Sequence, residues 1–105
     1  MEMRFEMDPA EFADKASGVA EILSELANAR RLMVLCKLVE HGEMKVTDLA
    51  EAVGLSQSAL SQHLARLRDR QIVAFRRDSQ VLWYRIADAR IEALLAELYH
   101  IYCKD

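Results

Sequence analysis

Ser58, Ser61, Gln62 and Arg66 recur along one side of residues 55–70, LSQSALSQHLARLRDR. Two hydroxyls, an amide and a guanidinium can donate to phosphate oxygens or read base edges, and only Asp69 sets a carboxylate among them. The other side carries Leu60, Leu64 and Leu67 at i, i+4 and i+7, the stripe of an amphipathic helix that Ser56 is placed to cap. Gln57 and His63 lie at the margins of the polar side, where His63 has an equal claim to a packing role. The chemistry predicted is contact with duplex DNA by a helix laid in a groove.

The residues ahead of this helix are those needed to aim it. Thr47 is placed to cap a short helix over 48–53, with Leu49 and Val53 turned one way and Ala50 small enough for a close crossing. Gly54 supplies the left-handed conformation of a tight turn, and Leu55 plugs the angle. Residues 47–70 therefore read as a helix-turn-helix, the plain alternative being an ordinary helical hairpin. Beyond it the apolar period drops from 3.6 to 2. Ile72, Val73 and Phe75 precede a polar tip at Arg76-Arg77-Asp78-Ser79-Gln80, after which Leu82, Tyr84 and Ile86 alternate with Val81, Trp83 and Arg85. This predicts a β-hairpin wing over 72–86, with Arg76, Arg77 and Arg85 beside the sugar-phosphate backbone or minor groove, or forming a solvated hairpin end.

The chain has 105 residues, 52% of them apolar, with three glycines and one proline, which suits a single, mainly helical domain. A net charge of −3 argues against a polyanion partner until it is divided. Residues 45–86 hold seven Lys/Arg against four Asp/Glu, a local +3, while 1–44 hold five against nine and 87–105 two against four. Local field steers DNA, so the middle of the chain is the expected DNA face. There is no run of eighteen apolar residues and no secretion-signal pattern at the acidic start, so a cytoplasmic protein without membrane contact is expected. Its two cysteines, Cys36 and Cys103, are 67 residues apart and fit neither a disulfide scaffold nor a local zinc knuckle. No nucleophile–base set, paired carboxylates or phosphate loop points to an enzyme.

Three further helices are expected. Asp8 and Pro9 open one over 9–27, whose stripe is Phe12, Ala16, Val19, Ala20, Leu23 and Leu26, and upstream of it Met3, Phe5 and Met7 alternate. Asn28 caps a core helix whose apolar positions are nearly continuous, through Arg31, Leu32, Leu35, Cys36 and Val39 to His41 and Gly42. Asp88 caps the last, over 88–103, with Ile91, Leu94, Leu95, Leu98, Ile101 and Tyr102 on a wide apolar face. One small domain cannot bury so many large side chains, so the first and last helices are expected to form a homodimer interface. A twofold axis would then set two reading helices about 34 Å apart, on an inverted-repeat operator. The fold class is mainly α with a small β-hairpin: a winged helix-turn-helix with two strands between the fourth and fifth helices.

Across nearly its whole length this chain resembles the ArsR/SmtB family of small bacterial winged-helix repressors. The likeness rests on Leu26-Ala27-Asn28 with Arg31-Leu32 and Leu35, then Asp48-Leu49-Ala50, Leu55-Ser56-Gln57-Ser58, Ser61-Gln62-His63-Leu64, Leu67 and Tyr84-Arg85-Ile86. The family's usual proline after the cap is Ala29 here. Metal-sensing patterns do not carry over: 48–53 has no Cys-x-Cys, and the last helix offers Arg90, Ile101 and Lys104 where zinc ligands would stand. No metal and no cofactor are expected.

The placement of Cys36 and Cys103 is similar to the reactive-sulfur-sensing BigR/SqrR/HlyU-like branch. That resemblance implies two thiols close together in one subunit, linked by sulfur from a persulfide, the inducer, with release of the operator. Read without it, Cys36 is a small core hydrophobe and Cys103 an idle thiol. Lys104 and His100 would favour the Cys103 thiolate, so Cys103 is expected to attack and Cys36 to resolve. A coupling of about 2–3 kcal/mol would lower operator affinity more than tenfold. The alternatives are a repressor answering a metal or peroxide, and a winged-helix protein-interaction module that does not bind DNA.

Overall fold

The computed structural model describes residues 8–103, so the alternation at Met3, Phe5 and Met7 and the cation of Lys104 lie outside the described residues. Five helices and a three-stranded sheet follow in the order α1 (Pro9–Leu26), α2 (Ala29–His41), β1 (Met44–Lys45), α3 (Val46–Val53), α4 (Gln57–Asp69), β2 (Val73–Asp78), β3 (Val81–Ile86) and α5 (Ala89–Tyr102). The winged helix-turn-helix expected from the sequence is present.

Local chemistry sets most boundaries. Asn28 Oδ1 accepts from Arg31 N at 3.1 Å to start α2, and Gly42 ends it with φ 79°. Asp88 Oδ1 accepts from Arg90 N at 2.8 Å to start α5, and its bonds to Arg90 hold the carboxyl down to about 2. Gly54 turns left-handed at φ 68° and donates back to Ala50 and Glu51. Pro9 occupies the first turn of α1, but the Asp8 side chain makes no capping bond there.

Thr47 does not cap α3. The helix begins at Val46, with Lys45 in the cap position and no side-chain bond. The reason is a strand that the sequence reading missed: β1 pairs antiparallel with β3, Met44 opposite Tyr84 and Lys45 opposite Trp83, and runs straight into the helix. Two residues are too few to show a period of 2. The sheet order is β1-β3-β2. The hairpin tip is also tighter than expected, because Arg76, Arg77 and Asp78 belong to β2 and only Ser79 and Gln80 turn, Ser79 at φ 58°.

Leu35 and Leu38 of α2, Leu49 of α3, Leu60, Leu64 and Leu67 of α4, Ile72 and Leu95 are fully buried and form one core. This core grips α4 along its apolar stripe and leaves the opposite side to solvent. α1 joins the core only at its end, through Leu26 and half-buried Ile22, whereas Phe12, Val19 and Leu23 stay exposed.

Candidate DNA interface and thiol groove

Ser56 Oγ accepts from Ala59 N at 3.1 Å, fixing the start of α4. With its leucines inward, Gln57, Ser58, Ser61 and Gln62 stand exposed on the outer face. His63 is half-buried on the flank. Burial, and then the Arg31 and Arg30 charges, hold its pKa below the ordinary value, which favours the neutral ring and suits packing better than phosphate neutralisation.

Arg66, expected among the groove contacts, is engaged elsewhere in this DNA-free fold. Its Nε and Nη2 donate to the two carboxylate oxygens of Glu25 at 2.7 and 3.1 Å. Arg70 Nε is 3.5 Å from the same carboxylate, and Arg31 Nε donates to the Glu25 carbonyl at 2.7 Å. Arg66 and Arg70 are one turn apart and leave α4 on the side of α1, so their guanidiniums close on Glu25. Glu25 is 2% exposed, and the Arg66 hydrogen bonds hold its carboxyl below the usual range against the opposing effect of burial. The reading helix is thereby tied to the end of α1.

Glu25 was not singled out from the sequence, although it follows Ile22 by three residues and precedes Leu26, on the inward side of the helix. Arg68 was also missed. It leaves α4 on the wing side, and its guanidinium sits 5.3 Å from the centre of the Phe75 ring on β2. Such links across the fold have no signature in spacing.

On the wing, Arg76 donates through Nε and Nη2 to Glu43 at 2.8 and 2.9 Å and lies 5.4 Å from the centre of the Trp83 ring. Arg77, next along β2, is exposed and holds no ion pair among the described residues. Arg85 is exposed on β3 opposite Ala74.

The two cysteines, remote from this face in sequence, line one groove of about 590 Å³ between α2, α3 and α5. Cys36 comes from α2, half-buried, and Cys103 is the exposed C-cap of α5. Burial pushes the Cys36 thiol up, and the neighbouring Cys103 and Glu40 add to the effect. His100 is exposed one turn before Cys103. Among the described residues, no three of His, Cys, Asp and Glu are grouped to hold a metal ion, and no helix is long and apolar enough to cross a membrane.

A capped, solvent-facing helix behind a glycine turn, flanked by a basic hairpin, defines the class of winged-helix DNA-binding proteins. Residues 28–74 match the bacterial regulatory protein, arsR family. The chain is 43% identical over 105 residues to nodulation protein NolR of Rhizobium meliloti, covering 100% of this chain and 85% of that protein. Among solved structures it is similar to reduced HlyU from Vibrio cholerae, with a TM-score of 0.85, 36% identity and coverage of 90% and 98% of the two chains. It is also similar to the transcriptional repressor BigR from Xylella fastidiosa, with a TM-score of 0.81, 37% identity and coverage of 94% and 100%. The chain belongs to the ArsR family of transcriptional regulators and is not an enzyme.

Proposed function

We propose that this protein is a homodimeric repressor that holds an inverted-repeat operator and releases it when reactive sulfur links Cys36 to Cys103. Gln57, Ser58, Ser61 and Gln62 would enter the major groove, with His63 packing at the margin. Arg77 would take a phosphate beside them, joined by Arg76 and Arg66 to the extent that DNA competes with Glu43 and Glu25. The repressor role is supported by the likeness to BigR.

The observation that carries the switch is the shared groove: one thiol on the core helix, the other at the end of α5, whose Leu94, Ile101 and Tyr102 are exposed. A bond between them would tie a core element to a helix suited to a dimer interface, and so alter how two reading heads are spaced. The Cys103 thiolate attacks the outer sulfur of a persulfide RS–SH, RS⁻ leaves and takes a proton, and Cys103 becomes Cys–S–SH. A second persulfide extends it to Cys–S–S–SH with loss of a second thiol. The Cys36 thiolate then attacks the middle sulfur and expels hydrosulfide, leaving a trisulfide.

The test is intact-mass spectrometry of reduced protein treated with an organic persulfide, alongside binding to an inverted repeat selected from random duplex. Added sulfur linking the two cysteines together with lost affinity is expected. Cys103→Ser should stop the protein from gaining sulfur at the wild-type rate, and persulfide forming on Cys36 at that rate would reverse the assigned order of attack. Unchanged mass with unchanged binding would return both cysteines to structural roles.

A further inference from the structure

The walls of the thiol groove are unlike what a small sulfur anion needs. Leu32, Met33, Val53, Leu98, Tyr99 and Tyr102 line it. Its charged lining residues among the described residues, Lys37 and Glu40, close on each other, Nζ to Oε2 at 3.2 Å, so the ammonium there already faces a carboxylate. A volume of about 590 Å³ falls within the range of small-molecule sites and far exceeds a hydrosulfide ion.

We propose that this groove binds an uncharged organic polysulfane with apolar substituents, a dialkyl trisulfide in its simplest form, and presents its central sulfur to Cys36 and Cys103. This rests on the sulfur-linked switch and names the class of donor for it. Apolar substituents leave water for the leucine and tyrosine walls, which favours binding. A donor carrying carboxylates would lose water against these apolar walls and meet Lys37 already paired with Glu40.

The reaction balances without a further oxidant. The thiolate of exposed Cys103 attacks the central sulfur of R–S–S–S–R. One sulfur–sulfur bond breaks, RS⁻ departs and is protonated, and a Cys103–S–S–S–R adduct remains. The Cys36 thiolate attacks the same central sulfur and expels the second RS⁻. The two cysteines are oxidised to a trisulfide bridge, and the donor is reduced to two thiols.

The experiment compares dipropyl trisulfide with the trisulfide of glutathione on reduced, full-length protein. Bridging is followed by quenched intact-mass spectrometry, each rate normalised to the same donor's reaction with a small free thiol. The apolar donor should bridge the cysteines at least about tenfold faster and saturate with concentration. Met33→Glu should lower that advantage without disturbing the core, since Met33 lines the groove from α2 and is 49% exposed. Unreactive dipropyl sulfide should shift the Met33 methyl resonance of the doubly substituted Cys36→Ser, Cys103→Ser protein. Equal normalised rates, or no shift with the sulfide, overturn the groove's selectivity and leave the switch standing. No bridging by either trisulfide, where an organic persulfide does bridge the cysteines, overturns the trisulfide donor, and no bridging by the persulfide either removes the switch itself.

Discussion

Glu25 shows how one buried carboxylate can govern a surface. Its partners Arg66 and Arg70 are solvated on their outer edges, so the cluster lies between a surface ion pair and a fully buried one. Glu25→Gln is expected to cost about 2 kcal/mol at neutral pH, read from urea denaturation. The sign with pH follows from the lowered carboxyl. The stabilisation is complete above the unfolded glutamate pKa and is lost as pH falls through the lower folded value. The gap between wild type and Glu25→Gln should therefore close in acid, and a gap constant down to acid unfolding would contradict this account.

At the scale of elements, the turn between α3 and α4 and the wing decide how the reading helix meets DNA. A Cβ added at Gly54 would meet nothing within 4 Å, so the penalty of Gly54→Ala is conformational alone, from φ 68°. A loss of about 1–2 kcal/mol is expected by thermal or urea unfolding, with the folded spectrum unchanged. On β2, unpaired Arg77 is available to a phosphate, whereas Arg76 must first leave Glu43. Arg77→Ala should weaken operator and random duplex alike and reduce the salt slope of binding by about one. Arg76→Ala should change the slope less, and the reverse order in fluorescence-anisotropy titrations would reassign the wing contact.

The described residues are more extended than a compact body of their number. Their radius of gyration is 15.6 Å, against about 13 Å for a packed domain of this size. On α1 Phe12, Val19 and Leu23 remain exposed, and on α5 so do Leu94, Ile101 and Tyr102. These are the faces a second subunit would cover. Leu23→Glu with Ile101→Glu should give a folded monomer in sedimentation, because neither side chain supports the core of the single chain. Operator affinity should fall by at least about a hundredfold as the two heads uncouple. A dimer that persists would move the interface elsewhere.

What the residues determined by themselves was local. The caps at Asn28, Ser56 and Asp88, the glycine stops at 42 and 54, the leucine stripe of α4 and the alternation of the hairpin are short-range effects, each readable within a few residues. The exposed donor face of α4 follows from them, since a buried stripe implies its opposite. Tertiary structure decided what depends on contacts across the chain. β1 exists only because β3 offers it an edge, and the start of α3 shifts with it. Arg66 and Glu25 are 41 positions apart, and no periodicity relates them, yet they meet in a bidentate pair because α1 ends against the flank of α4. Cys36 and Cys103 share a groove for the same reason: α2 and α5 pack side by side, and proximity between remote residues belongs to packing and not to sequence spacing.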